Sequence, residues 1–122
     1  MNVPKGHQRL MPYFILDGAE KFVEFTKSVF GAEETARHLH PDGRIMHAEV
    51  RIGDSVIMVG NATEQWPAST GSLFIYVEDA DTAYQAALRE GATAVLELED
   101  KEYGRSGGVK DPTGVTWWIT SL

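Results

Sequence analysis

YGRSGGVKDPTGVTWW, residues 103–118, reads as two strands joined by a tight turn at Asp111-Pro112-Thr113-Gly114. Proline presets φ for the second position of a turn, and glycine suits the fourth position of a type I turn. The strand before the turn carries Gly104, Gly107 and Gly108. Glycine inside a strand marks a bulge or a place where another group approaches the backbone closely. The strand after the turn, Val115–Thr120, contains Trp117 and Trp118. Side chains alternate along a strand, so the two indoles point to opposite faces, one suited to a core and the other to a cavity.

Outward from this hairpin, the second half of the chain reads as a strand at Ser72–Val77, a helix capped by Asp79 and stopped at Gly91, and a strand at Ala94–Leu98. The helix shows apolar positions at Ala80, Ala83, Tyr84, Ala87 and Leu88, the spacing of one helical face. The first half has the same order. Leu10–Leu16 reads as a strand. Asp17 and Glu20 form a capping-box-like pair, and Ala19, Phe22, Val23, Thr26, Val29 and Phe30 fall on one helix face. Gly31 stops that helix. Strands follow at Glu33–Leu39, Ile45–Ile52 and Ser55–Val59, the last two joined across Gly53-Asp54. Helices are expected over roughly 18–30 and 80–90. Tyr13 and Phe74 are 61 residues apart, Gly31 and Gly91 are 60 apart, and Gly53 and Gly114 are 61 apart. A nearly constant offset of this kind is the mark of an internal repeat. Two βαβββ units, about 10–60 and 72–122, make up one domain over 1–122, because a unit of about 60 residues buries little core alone. Residues 1–9 read as a polar arm or frayed end.

The 122 residues include no cysteine, which excludes disulfides, thiolate metal sites and cysteine nucleophiles and fits a cytoplasmic protein. Formal net charge is −7, and no cluster of Lys and Arg exceeds two neighbours, so nucleic acid is not an expected partner. No apolar run approaches the roughly 20 residues of a membrane helix, and no membrane partner is expected. The N-terminus lacks the apolar segment of a secretory signal.

Strand, capped helix, Gly-Ala stop and three strands, twice over, resembles the vicinal oxygen chelate superfamily, which includes glyoxalase I, bleomycin-resistance proteins and extradiol dioxygenases. The segments that carry the resemblance are PYFILDGAEKFVEFTKSVFGAEE, GRIMHAEVRIGDSVIMVGN, FIYVEDADTAYQAALREGA and YGRSGGVKDPTGVTWWI, nearly the whole chain. IMHAEVRIGDSVIM with DPTGVTWWI looks most like the subgroup labelled demethylubiquinone methyltransferase-like. The chain has no glycine-rich strand-to-helix loop for a nucleoside cofactor, so methyl transfer is not expected. The resemblance implies an α+β fold in which the two units form a curved mixed sheet around a cup, with helices on the convex side. It also implies a ligand or metal in the cup, and frequent dimerisation.

Metal-dependent members of that superfamily place His or Glu on the first and last strands of each unit. Carried over by counting, those positions fall at Met11, Ile57, Ser72 and Trp118. None is an imidazole or a carboxylate, and a divalent ion needs three or four N or O donors. No metal and no cofactor are therefore expected. Alternation would bring Tyr13, Phe74 and Tyr76 into the cup with Ile57, Ser72 and Trp118, with Tyr103 and Arg105 closing over it. That lining suits a small, partly aromatic ligand. His47, Glu49 and Arg51 share one face of their strand, and His47 with Glu49 is the candidate acid–base pair. Pairing across Gly53-Asp54 sets Val50 opposite Ile57, which turns His47 away from the cup unless a bulge intervenes. His38 and His40 read as solvated strand-end residues, and Glu97–Glu102 as a solvated loop. The expected function is metal-free binding of a small molecule by a homodimer. The alternatives are a metal-dependent lyase or dioxygenase-like enzyme, an acid–base enzyme using His47, and an assembly domain with a filled cup.

Overall fold

Each half of the chain folds as strand, helix and three strands in a computed structural model that describes residues 1–122. The first unit contains β1 (Tyr13–Leu16), α1 (Ala19–Phe30), β2 (Glu33–Leu39), β3 (Ile45–Ile52) and β4 (Ser55–Asn61). The second contains β5 (Ser72–Tyr76), α2 (Ala80–Arg89), β6 (Thr93–Lys101), β7 (Gly104–Lys110) and β8 (Thr116–Ser121). Each unit forms its own curved, mixed four-stranded sheet, ordered β1-β4-β3-β2 and β5-β8-β7-β6. In both, the first strand runs parallel to the last and the other neighbours are antiparallel. The fold is α+β, as expected, and the 60-residue offset is visible in the backbone. Gly31 and Gly91 both take left-handed φ, 66° and 99°, where their helices end. Gly53 and Gly114 do so in the two equivalent hairpins.

The units are joined through one core. Trp117 of β8 stacks on Phe22 of α1 with ring centroids 5.9 Å apart, and meets Phe30 at 4.7 Å. Leu16, Val50 and Val59 from the first unit and Tyr84, Val109 and Ile119 from the second belong to the same buried cluster. The helices therefore cover one face of each sheet, and the opposite face is left open.

Three local expectations change. Asp17 does not cap α1. Gly18 occupies that position at φ 90° with no side-chain cap of its own, and Asn61 at the end of β4 accepts from Gly18 N at 3.1 Å and Ala19 N at 2.8 Å. The cap comes from across the sheet, where no local pattern reveals it. Glu97–Lys101 is strand, not loop, because Glu99–Lys101 pairs with Gly104–Ser106 as an exposed edge. The polar arm is not frayed at residues 7–8. The Gln8 side-chain amide imitates a strand neighbour, donating to Val56 O at 2.8 Å and accepting from Val56 N at 3.3 Å.

Candidate functional site

The open face of the second unit is aromatic. The parallel register sets Ser72 beside Thr116, Phe74 beside Trp118 and Tyr76 beside Thr120, so these side chains share the face away from α2. Leu73, Ile75, Trp117 and Ile119 point the other way, into the core or against it. Phe74, Tyr76 and Tyr103 are 49%, 66% and 55% exposed, far more than apolar rings retain inside a filled core. Phe74 meets Tyr76 edge-on at 5.2 Å and Tyr103 at 6.4 Å. Trp118 lies across Gly108, its partner on β7; a Cβ there would sit 2.4 Å from the indole. The close approach that a strand glycine signals is thus made by the chain's own tryptophan. Ser106 and Thr120 bond each other at 2.7 Å and are buried, which leaves Ser72 and Thr116 as the hydroxyls bordering the rings.

Arg105 is not on this face. It alternates with Ser106, so it lies on the α2 side, where its guanidinium donates to both carboxylate oxygens of Asp81 at 2.8 and 3.1 Å and to Asp100 at 3.2 Å. Ile57 also departs from the expected face. Tyr13 pairs with Met58, not with Ile57, and Ile57 is buried on the helix side with Val50 and Val59. The expected hairpin pairing of Val50 opposite Ile57 is present, with Glu49 opposite Met58. Only the choice of face was reversed, and that reversal brings His47 and Glu49 onto the open face beside Tyr13.

There the first unit presents a polar chain of hydrogen bonds. His47 Nδ1 is 3.1 Å from the Tyr13 hydroxyl, and His47 Nε2 is 2.9 Å from Glu49 Oε2. The other carboxylate oxygen, Oε1, is 2.7 Å from Nε2 of His7. Partial burial pushes the Glu49 carboxyl up, but hydrogen bonds from His47 and then His7 outweigh it and hold the group below the usual glutamate range. His38 stands opposite His47 on β2, with ring centroids 6.2 Å apart. His40 lies beyond the strand. Sequence reasoning did not select His7; it is 42 residues from Glu49, and only the docking of Gln8 brings it there.

The positions that the resemblance marks for metal ligands do not fit a metal here. Met11, Ser72 and Trp118 supply one hydroxyl and a thioether, and replacing Ile57 by its neighbour Met58 adds only a second thioether. His7 and His47 bracket opposite oxygens of Glu49 instead of converging on one point, and no three His, Asp or Glu side chains form a ligand set.

Residues 14–119 match the Glyoxalase/Bleomycin resistance protein/Dioxygenase superfamily. An uncharacterized protein of Mycobacterium bovis is 35% identical, with 88% of this chain and 79% of that protein aligned. A putative 3-demethylubiquinone-9 3-methyltransferase, the PhnB protein of Bacillus cereus, superposes with a TM-score of 0.79 at 19% identity, covering 94% of this chain and 100% of that one. TnmS3, an antibiotic binding protein from Streptomyces sp. CB03234, superposes with a TM-score of 0.71 at 17% identity, covering 94% and 98%.

Proposed function

The chain belongs to the Glyoxalase/Bleomycin resistance protein/Dioxygenase superfamily, and from that premise we propose that it binds a small, partly aromatic molecule against Trp118 without a divalent metal. The observation that carries this reading is the cluster of half-exposed rings, Phe74, Tyr76 and Tyr103, beside Trp118 on a helix-free face. Such a surface stacks a planar ligand, and each aromatic pair adds about 0.5–1.5 kcal/mol beyond area burial. Ser72 and Thr116 offer the hydroxyls that orient it. The role of TnmS3 as an antibiotic binding protein suits this reading without naming the ligand. A metal-dependent lyase or dioxygenase reading lacks the donors its chemistry needs. We place the protein in the cytoplasm as a homodimer, with neither nucleic acid nor membrane as a partner. The net charge of −7 supports the exclusion of nucleic acid, and no helix is long and apolar enough to cross a membrane.

Titration with 8-anilinonaphthalene-1-sulfonate tests the site, with the probe's own fluorescence as the readout. Trp118→Leu is expected to weaken binding about tenfold, the equivalent of one lost ring contact near 1.4 kcal/mol. Equal affinity in the variant would remove Trp118 from the site. Elemental analysis after dialysis is expected to find no stoichiometric Zn, Ni, Mn or Fe, and finding one would refute the metal-free reading.

A further inference from the structure

Stacking against Trp118 makes no use of the polar chain on the first unit, whose proton positions are dictated by its acceptors. An ionised carboxylate accepts and cannot donate. Both Glu49 oxygens are engaged, so Nε2 of His7 and Nε2 of His47 each carry a proton. In the neutral imidazole of His47, Nδ1 is then a bare acceptor, and the Tyr13 hydroxyl 3.1 Å away donates to it. The phenol proton is turned inward and the oxygen lone pairs outward, on a ring that is 50% exposed.

We propose that Tyr13, His47 and Glu49 form a proton-accepting site that binds a weakly acidic, phenol-type hydroxyl and holds it as its anion. The ligand O–H bond breaks and its proton bonds to the Tyr13 oxygen. The original Tyr13 proton moves to His47 Nδ1, so no proton is exchanged with solvent. The resulting phenolate accepts a hydrogen bond from Tyr13, and the resulting imidazolium lies 2.9 Å from Glu49 Oε2. An activated phenolic hydroxyl is far more acidic than an aliphatic alcohol, so the site selects the first class and not the second. The titratable groups facing His47 are Tyr13 from β1, His38 from β2, Glu49 on its own strand and, through Glu49, His7 from the arm. Arg51, next along that face, is held by Glu33, and β4 contributes the uncharged Met58. His7 is a positioning residue: it occupies the second carboxylate oxygen and keeps Glu49 ionised toward His47.

The test uses the full chain and 4-nitrophenol, whose anion absorbs in the visible. Below the probe's own pKa, wild-type protein is expected to raise the phenolate-to-phenol ratio of bound probe about tenfold, one unit of pKa. Tyr13→Phe, which keeps the ring, and His47→Gln are expected to return the ratio to that of free probe, with circular dichroism confirming that both fold. Binding without the phenolate band would overturn the inference, as would a band that survives Tyr13→Phe, or no saturable binding at millimolar probe. Quenching of tryptophan fluorescence without the band defeats this site and leaves the Trp118 reading standing; the band without quenching does the reverse.

Discussion

A single buried carboxylate organises the turn from which the fold is legible. Asp111 Oδ1 accepts from Thr113 N at 2.8 Å, Thr113 Oγ1 at 2.7 Å and Val115 N at 3.1 Å, and Oδ2 accepts from the Trp117 indole N–H at 2.8 Å. Asp111→Ala leaves those donors without partners in a dry setting, so urea denaturation is expected to show a loss of about 3 kcal/mol. A loss under half that size would mean that water replaces the carboxylate. The turn itself could be read from Asp-Pro-Thr-Gly, because its chemistry is local. The partner of Gly108 was not readable, because it depends on which residue of β8 lies opposite. Gly108→Ala puts a methyl 2.4 Å from the Trp118 ring. The indole must move, and the variant is expected to bind 8-anilinonaphthalene-1-sulfonate more weakly by the factor that Trp118→Leu shows. His7 left no trace in the sequence, since nothing about a polar N-terminal stretch states that its eighth residue will imitate a strand.

The two helices are built from one plan and capped by two different arrangements. At α2, Asp79 accepts from Thr82 N at 3.2 Å, and Ser121 at the end of β8 accepts from Ala80 N at 3.1 Å. At α1 the local cap is absent and Asn61 at the end of β4 acts alone; its amide also donates to Glu20 and to Ile45 O. Asn61→Ala is therefore expected to cost about 2 kcal/mol and Ser121→Ala less than 1, since only the first removes the whole cap. Glu20 sharpens the difference. Partial burial raises its pKa, but the Ile45 N–H and then the Asn61 amide outweigh that and lower it from a glutamate's ordinary 4.5. A folded pKa below the unfolded one contributes stability that is present above the unfolded value and is lost as pH falls through the folded one. Thermal melts of Glu20→Gln are expected to show a shallower loss of stability below pH 4.5 than wild type, and parallel slopes would exclude this role. Helix limits were legible to within a residue or so because apolar spacing and stop glycines are local signals. The cap was not, because it crosses 42 residues.

At the scale of the molecule, the repeat and its offset were legible because both halves keep the same punctuation, whereas the inward face of β4 required the β1–β4 register. That register also leaves four sheet edges, and they are not alike. The outer edges β2 and β6 carry Glu33, Glu34, Arg37 and Glu97, Glu99, Asp100, Lys101, the charges that keep an edge from pairing with a neighbour. The inner edges β1, Tyr-Phe-Ile-Leu, and β5, Ser-Leu-Phe-Ile-Tyr, carry none. β1 is partly covered by the chain itself, through the bridge from Ser69 to Ile15. β5 has no such cover, and beside it a cleft of about 1190 Å³ runs between the units past Phe30, Leu73, Ile75 and Ala86. An uncharged, uncovered edge next to an apolar cleft suits a second copy of the chain better than solvent, and a twofold contact lets one such edge serve both copies. Sedimentation equilibrium at micromolar concentration is therefore expected to give twice the chain mass of 13.5 kDa. Tyr76→Lys, which places a charge at the end of β5, is expected to shift that equilibrium toward 13.5 kDa. A wild-type mass of 13.5 kDa would mean that the β5 edge is stable in water as it stands. A dimer indifferent to Tyr76→Lys would place the interface on another edge.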